Sequence, residues 1–272
     1  MKTIIVDDNL CTGCGICSAV CVAGIIDAGD GRTLPDISEE KAANCVRCGH
    51  CEAFCPAQAL LLNMRPEEKQ ILPKDAGIIS PDEMEFYIKK RRSIRHYLKE
   101  PVPREKIIDV LGISQYAASG MNCQPVEWLV VHDTEKVKKI AELTVDWLKS
   151  LANTAHPMSS YAPMIISAWQ QGNDIICRGA PHLLFAHIPE DSPVAPVDAI
   201  IALTHFDLAA PAFGIGACWA GFLAAAAMNY EPLKKELGLP KGRKFAYAMM
   251  FGYPKYEAYG IPRRKPLEVI WQ

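Results

Sequence analysis

The hydrophobic pattern over residues 83–272 predicts helices and short strands that do not alternate regularly. Apolar residues recur at helical spacing after Asp133, which can cap a helix; those on one face are Val137, Ile140, Ala141, Thr144 and Leu148. Other predicted helices cover 84–90, begin at Pro103 and cover 197–213, and predicted strands cover 126–131, 182–188 and 245–251. This irregular order favours an α+β fold over a doubly wound sheet.

A longer apolar run, residues 208–228, holds no charged side chain over 21 positions and meets the length criterion for a membrane span. Pro211 interrupts it, and alanine and glycine dominate it, so little of it favours lipid. We expect a buried helix, a glycine turn and a second helix. The first ten residues hold no apolar signal segment before Asp7 and Asp8, which predicts a cytoplasmic protein.

Composition and charge narrow the choice of partners. Half of the residues are apolar and 22% are charged, which is the balance of an ordinary globular protein. The formal net charge of -2 gives no electrostatic footprint for nucleic acid or a membrane surface. We therefore expect neither as a partner.

Eleven cysteines in a chain without a signal segment point to metal or redox chemistry rather than to disulfides. Eight of them form two runs of the spacing C-x2-C-x2-C-x3-C, which is typical of bacterial ferredoxins. The runs are Cys11, Cys14, Cys17, Cys21 and Cys45, Cys48, Cys51, Cys55, with Pro56 after the second and Val22 after the first. The isolated Cys123, Cys177 and Cys218 are interpreted as small buried hydrophobic residues.

Two 4Fe-4S clusters are predicted from these runs, with the fourth cysteine of each run reaching the other cluster. One set is then Cys11, Cys14, Cys17 and Cys55, and the other is Cys45, Cys48, Cys51 and Cys21. Gly13, Gly15 and Gly49 lie inside the loops, where the backbone must approach a cluster closely. The alternative is a pair of structural zinc sites, but zinc does not require two matched runs of four.

A domain boundary is predicted by a proline-containing stretch without apolar periodicity. We expect a ferredoxin-type domain over residues 1–65, a linker over 66–82 and a second domain over 83–272. The first carries a local charge of -3 and the remainder +1. The basic side chains are therefore concentrated in the second part.

A basic motif, RRSIRHY at 91–97, opens the second domain. Arg91, Ser93 and Arg95 offer two guanidinium groups and a hydroxyl close in sequence, a set suited to a phosphate monoester. The alternative is a solvated basic face, since charge runs are usually solvated. Clusters store single electrons, and a flavin beside them would convert these into two-electron chemistry.

With this motif, SGMNCQP at 119–125 and GACWAGF at 216–222, the second domain resembles the nitroreductase family of FMN-dependent oxidoreductases. The resemblance implies an α+β FMN domain in a homodimer with FMN at the subunit interface. It puts Arg91, Arg92, Ser93 and Arg95 on the FMN phosphate and ribityl chain, and Ser119, Gly120 and Asn122 near the flavin bound mainly by the partner. It also implies that Cys218 and Trp219 flank the flavin ring and that the amides of Ala220 and Gly221 face its N5 and O4 edge.

FGYP at 251–254 and PRRKP at 262–266 are similar to the family's closing strand and to the segment that returns a phosphate ligand. The resemblance implies that Arg264 is the best match for this phosphate ligand and Arg263 the second. Several members carry Glu where Ala220 stands, so any role of that carboxylate is absent here. The alternative to a place beside the flavin ring is that Trp219 only packs in the hydrophobic core. His182 and His187 are interpreted as core histidines with satisfied partners.

The sequence thus predicts an iron-sulfur flavoprotein that passes electrons from 4Fe-4S clusters, or from NAD(P)H, through FMN to a small acceptor. Nitroaromatics, quinones and activated alkenes are the expected acceptors, and ferredoxin or NAD(P)H the expected donor. The sequence nominates no catalytic side chain, because much of this chemistry belongs to the cofactor. The rival hypothesis is an electron-transfer module that relays charge between partner proteins.

Overall fold

A computed structural model describes residues 2–29, 33–64, 69–73, 77 and 79–272. The chain divides into two compact units: unit 1 comprises Met1–Ile78 and Met121–Cys123, and unit 2 comprises Ile79–Gly120 and Gln124–Gln272. The predicted linker over 66–82 lies partly outside the described residues. Its last two positions belong to the first helix of unit 2, which begins at Pro81.

Unit 1 is a small domain in which short elements alternate with cysteine-bearing loops. Its elements are β1 (Ile4–Val6), α1 (Ile16–Ala19), α2 (Glu39–Ala42), α3 (His50–Ala53) and β2 (Leu60–Leu62). The two strands pair antiparallel, with Ile4 opposite Leu62. A small apolar core forms beneath them, and it includes the buried Cys17 and Cys51.

Unit 2, in its described residues, is built from seven α-helices and four strands. The helices are α4 (Pro81–Lys90), α5 (Arg104–Ser114), α6 (Thr134–Leu151), α7 (Ala162–Gln170), α8 (Ala195–Ala209), α9 (Gly221–Asn229) and α10 (Glu231–Leu237). The strands are β3 (Glu127–Val131), β4 (His182–Pro189), β5 (Gly216–Trp219) and β6 (Arg243–Gly252). This mixture confirms the predicted α+β class.

The four strands of unit 2 form one antiparallel sheet in the order β3-β4-β6-β5. On one face, residues of α6, α7, α9 and α10 pack with Leu183 and Phe185. On the other face, residues of α5 and α8 pack with Leu184 and Ala186. Because both faces of the central β4 are covered, the strand is buried along nearly its whole length, and its residues are mostly apolar apart from His182 and His187.

Local signals in the sequence located several helix ends well. Asp133 caps α6 as predicted, accepting hydrogen bonds from the amides of Glu135 at 2.8 Å and Lys136 at 3.3 Å. The helix expected over 84–90 begins earlier, at Pro81, because Ser80 and Glu83 form a reciprocal capping box. Pro103 is the residue before α5 rather than its first residue.

The apolar run over 208–228 differs from the expectation of two helices joined by a glycine turn. Helix α8 ends at Ala209 and continues as a short 3₁₀ helix, Ala210–Phe213, before Gly214 adopts a φ of 73°. The chain then forms the edge strand β5 before α9 begins. No helix in the described part of the chain is both long enough and apolar enough to span a membrane.

The two histidines of β4 are buried and hydrogen-bonded, which confirms their interpretation. The His182 ring accepts the amide of Val102 at Nε2 (2.8 Å) and donates from Nδ1 to the carbonyl of His132 (3.0 Å). Burial lowers the His182 pKa to about 4, so the ring is neutral at neutral pH. His187 Nδ1 accepts from Arg243 Nε at 3.1 Å. The His182 ring therefore ties two loops to the sheet, and the His187 ring joins β4 to the first residue of β6.

Candidate functional site

The eight cysteines of the two runs surround two cavities in unit 1. One cavity is lined by Cys11, Cys14, Cys17 and Cys55, and the other by Cys21, Cys45, Cys48 and Cys51. These are the two sets predicted from the spacing, with the fourth cysteine of each run on the cavity of the other. Four thiols per cavity is the donor set that a 4Fe-4S cluster takes.

A glycine with positive φ sets the direction of the short helix beside each cavity. Gly15, with φ 73°, precedes α1, which carries Cys17. Gly49, with φ 75°, precedes α3, which carries Cys51. A side chain at either position would strain this left-handed backbone, so glycine is the residue that permits the turn.

Burial affects the protonation of the cavity thiols. Burial, with smaller contributions from the nearby Cys45 and Cys48, raises the pKa of Cys51 to about 11. Burial likewise raises the pKa of Cys17. Iron ligation requires the thiolate, so cluster assembly must displace these protons.

Among the described residues, no three Cys, His, Asp or Glu side chains converge to hold a single metal ion.

The remaining three cysteines do not share one environment. Cys177 and Cys218 are buried in unit 2, as expected. Cys123 is exposed, so its interpretation as a buried hydrophobic residue is wrong. The sequence offered no apolar periodicity around Cys123 that could have placed it in a core.

In unit 2 the basic motif at 91–97 is an extended segment beside the edge strand β5. The Ile94 amide donates a hydrogen bond to the Ala217 carbonyl at 2.9 Å, and Tyr97 forms an isolated antiparallel β-bridge with Pro254. A Cβ at Gly216 would lie 2.5 Å from Ile94 Cγ1, so only glycine permits this close approach. The segment thereby brings Arg95 next to the residues that follow β5.

A pocket with a cavity volume of ≈ 380 Å³ lies where β5 meets α9. Five residues predicted to bind the cofactor line it: Arg95, Cys218, Trp219, Ala220 and Gly221. Seven others were not predicted, namely Met158, Tyr161, Ile175, Ile176, Arg178, Phe222 and Met250. Phe222 ends the GACWAGF motif, whereas the other six come from separate segments that carry no recognisable motif, and only the fold brings them together.

Arg91 is partly buried and pairs with Asp207 of α8, which the sequence analysis missed. Arg91 Nη1 lies 3.3 Å from Asp207 Oδ2, and the Trp219 indole nitrogen donates to the same oxygen at 3.2 Å. Burial raises the Asp207 pKa, while the Arg91 charge opposes the rise. The alternative interpretation of the basic motif as a solvated face is therefore wrong for Arg91. The acidic Asp207 near the end of a largely apolar helix was a signal that could have revealed this pair.

The loop before α9 differs from expectation in one hydrogen bond. The Ala220 amide donates to the Ala248 carbonyl at 3.0 Å and extends the sheet, so it is not free to face a flavin edge. Gly221 is the first residue of α9, and no side chain caps that helix. The amides of the first turn of α9 therefore remain the available donors of this loop.

The other predicted cofactor residues lie outside the pocket lining. Ser119 Oγ accepts the Gln124 amide at 3.0 Å, and the Gly120 amide donates to Asp198 Oδ1 at 3.1 Å. Asn122 belongs to the short segment grouped with unit 1. The half-buried Arg92 and Ser93 lie between Arg91 and Ile94 along the chain, while Arg263 and Arg264 lie on the exposed segment 255–272. Their roles toward FMN stay predictions.

Comparison with known proteins identifies both parts of the chain. Residues 88–253, more than half of the chain, match the Nitroreductase family. This chain belongs to the nitroreductase family. Residues 10–60 match the 4Fe-4S dicluster domain family. The second unit is accordingly that of an FMN-dependent oxidoreductase, and the first carries a 4Fe-4S domain.

Individual relatives agree with this assignment. The FMN reductase (NAD(P)H) of Bacillus subtilis is 31% identical over 176 residues, covering 63% of this chain and 66% of that protein. An iron-sulfur component of CoB--CoM heterodisulfide reductase from Methanocaldococcus jannaschii is 37% identical over 76 residues, covering 23% of this chain. The chain spans only 12% of the length of that second relative.

Solved structures confirm the nitroreductase-like fold. A nitroreductase with bound FMN from Desulfitobacterium hafniense superposes with a TM-score of 0.55 at 22% identity. The match covers 68% of this chain and 95% of that one. At this level of identity the likeness concerns the fold.

Several features of this nitroreductase-family unit fit FMN. Arg91 Nη1 is buried 3.3 Å from Asp207 Oδ2 and has no hydrogen-bond partner among the described residues. Arg95, on the same segment, is exposed and lines the pocket, so the segment offers an accessible guanidinium to an anionic group. The pocket joins this cationic segment to Trp219 and to the uncapped start of α9. The donor set therefore suits a ligand with an anionic end and a flat polar ring.

We expect Gly216→Ala to weaken FMN binding strongly, because the added methyl would push Ile94 and, with it, Arg95 out of place. The forced shift should also destabilise the fold by about 1–3 kcal/mol. Gly112→Ala is the matched control, since Gly112 lies inside α5 with open space at its Cβ. Flavin content after gel filtration measures the effect. Equal FMN retention in both variants would contradict the role given to this contact.

Proposed function

We propose that this chain is an iron-sulfur flavoprotein oxidoreductase that takes up electrons from ferredoxin or NAD(P)H and delivers them in pairs to a small acceptor. Nitroaromatics, quinones and activated alkenes are the acceptors we propose. The observation that carries the proposal is the presence, in one chain, of two cavities of four cysteines and an open pocket in a nitroreductase-family unit.

In unit 1 we propose one 4Fe-4S cluster in each cavity. Each would be held by three cysteines of one run and the fourth cysteine of the other. The protein's own contribution is to bury Cys17 and Cys51 and to shape the cavity with α1 and α3. Burial and the backbone around the sulfur atoms tune a cluster's reduction potential.

In unit 2 we propose that Arg91, Arg92 and Ser93, helped by Arg264 and Arg263, hold the FMN phosphate. Cys218, Trp219, Ala220 and Gly221 would border the ring, and Arg95 would lie beside it. When bound, FMN supplies the conversion between one-electron and two-electron transfer. Asp207 fixes Trp219 through the indole nitrogen and keeps the Arg91 guanidinium in its half-buried position.

We propose that the pocket residues orient an acceptor, while the electron and proton chemistry belongs mainly to the cofactor. Neither a carboxylate nor a histidine is among the pocket's described lining residues. Tyr161 and Phe222 present their rings to the pocket at a centroid distance of 5.6 Å. Such rings favour a flat, conjugated acceptor through edge and face contacts. We therefore nominate no acid or base catalyst.

We further propose a cytoplasmic homodimer in which Ser119, Gly120 and Asn122 reach the flavin bound mainly by the partner. Exposed apolar side chains on unit 2 support an association surface. Val197 of α8 is 63% exposed, and Tyr259 and Trp271 on the segment 255–272 are 93% and 88% exposed.

An electron-transfer module without small-molecule turnover is the rival function. The open pocket of ≈ 380 Å³ lies within the size range of small-molecule sites and favours turnover. Placing a donor domain on the same chain raises its effective concentration near the flavin domain, which benefits an enzyme fed by single electrons.

Rapid mixing under anaerobic conditions tests the proposed function. With reduced ferredoxin as donor, we expect the cluster absorbance to bleach before the flavin is reduced. Adding a nitroaromatic or a quinone should then reoxidise both over many turnovers. Flavin reduction that precedes cluster bleaching would remove the clusters from the path. If no acceptor of a broad panel reoxidises the reduced protein, the rival function is favoured.

A further inference from the structure

The pocket at the start of α9 carries two positive charges and no negative one. Arg95 and Arg178 are its charged lining residues, and the rest of the described lining is apolar or aromatic apart from Gly221. Among the described residues, no carboxylate forms an ion pair with either guanidinium. In contrast, the less exposed Arg91 and Arg243 pair with Asp207 and Glu127. The pocket is therefore electrostatically uncompensated and suited to an anion.

The backbone around Arg178 is held in a costly conformation. Arg178 has a φ of 55°, in the left-handed region that disfavours residues other than glycine, asparagine and aspartate. Asp174 maintains this turn by accepting the amides of Cys177 at 2.8 Å and Gly179 at 3.1 Å. Cys177 is fully buried and anchors the turn in the core. Strain of this kind is typical of functional sites.

The turn places the Arg178 side chain on the same pocket as the ring pair of Tyr161 and Phe222. Tyr161 is 52% exposed, so its ring is available to a ligand. A guanidinium and aromatic rings that line one pocket suit a conjugated ring bearing a carboxylate. Neither feature alone selects such a ligand, but their combination does.

Arg178 is distinct from the residues assigned to FMN. The proposed phosphate ligands Arg91, Arg92 and Ser93 lie on one continuous segment with Arg95, which packs along β5. Arg178 comes from the separate turn between α7 and β4. Arg95 therefore belongs to the segment assigned to the cofactor, whereas Arg178 has no assigned ligand.

We propose that Arg178 binds the carboxylate of the acceptor, and that the preferred acceptors are aromatic or conjugated acids. This inference rests on the proposed function, because it names the class of substrate that the same pocket takes. Asp174 is then a positioning residue that aims Arg178, while the ring pair contacts the conjugated part of the acceptor.

Calorimetric titration of the purified protein with benzoate and with benzamide tests the binding step without turnover. The two probes have nearly the same shape and differ in charge. We expect benzoate to bind more tightly than benzamide, and Arg178→Asn to weaken benzoate about ten- to a hundredfold while leaving benzamide within twofold. Asparagine tolerates the left-handed backbone, so the turn should persist.

Two further variants separate charge from structure. Arg178→Lys keeps the charge but loses the planar fork, so it should weaken benzoate less than Arg178→Asn does. Arg104→Gln removes an exposed arginine at the start of α5, outside the pocket, and should change neither probe. If benzoate binding is weakened most by Arg178→Asn, less by Arg178→Lys and not by Arg104→Gln, while benzamide binding is unchanged, Arg178 is the carboxylate ligand.

Turnover supplies the second readout. We expect Arg178→Asn to raise the KM for 4-nitrobenzoate at least tenfold with little change in kcat, and to leave the KM for 4-nitrobenzamide unchanged. Equal changes for both compounds, or none for either, would overturn the inference. Loss of FMN from Arg178→Asn would overturn it too, by assigning the residue to the cofactor. If the wild type reduces neither nitro compound, the proposed function fails, and the calorimetric comparison still decides the binding of the carboxylate.

Discussion

Replacing Cys21 by serine should remove about four of the eight iron atoms that two 4Fe-4S clusters would contain. The cluster lost should be the one bound by the second cysteine run, because Cys21 lines the cavity of Cys45, Cys48 and Cys51. Loss of one of four thiolate ligands exposes the cluster to solvent and oxidation. Iron and acid-labile sulfide analysis of protein purified without oxygen measures the loss.

Electron paramagnetic resonance of the reduced protein identifies which cluster is gone. The spectrum of Cys21→Ser should match that of Cys48→Ser, which removes a ligand of the same cavity, and should differ from that of Cys14→Ser. Cys123→Ser is the matched control, since this exposed cysteine lines neither cavity and should retain all the iron. A Cys21→Ser spectrum that resembles Cys14→Ser would refute the crossed ligation. Two zinc ions per chain in the wild type would refute the clusters themselves.

The double variant Arg91→Ala with Arg264→Ala should lose FMN while keeping its iron. Each charge-assisted contact to a phosphate contributes about 1.5–3 kcal/mol, so losing both lowers affinity by two to four orders of magnitude. The clusters belong to a separate compact unit and should assemble normally. Flavin absorbance and iron content after gel filtration measure both outcomes on one sample.

The ion pair with Asp207 requires a control of its own. Removing Arg91 leaves a buried carboxylate unpaired, which typically destabilises a protein by about 3–5 kcal/mol. Adding Asp207→Asn to the double variant removes that charge and should restore folding without restoring FMN. The pair Arg104→Ala with Lys241→Ala is the surface control and should retain flavin. Full FMN retention by the Arg91 and Arg264 double variant would show that the phosphate lies elsewhere.

The sequence anticipated the parts of the molecule that depend on short segments. The cap of α6 by Asp133 joins residues two and three positions apart, and the structure confirms it. The sets of cavity cysteines follow from two short runs with matched spacing. Strand β4 was recognisable because burial on both faces leaves a mostly apolar segment in which two histidines are the exceptions.

The strand β5 shows where local patterns lose information. Its four residues lie inside an apolar stretch that periodicity alone could not divide into helix and strand. Hydrogen bonding to β6 on one side and the packing of Ile94 on the other select the strand. The same pairing engages the Ala220 amide, which the sequence left free for the cofactor.

The sequence by itself indicated the classes of cofactor, a 4Fe-4S domain and FMN, because cysteine spacing and short motifs are properties of continuous segments. The tertiary structure alone decided that Arg91 pairs with Asp207, and that Arg178 faces the same pocket as Tyr161 and Trp219. Such contacts join residues far apart along the chain, and no periodic pattern encodes their separation in space. They form only when the two helical layers pack on the two faces of the sheet, and that packing sets the charge and shape of the pocket.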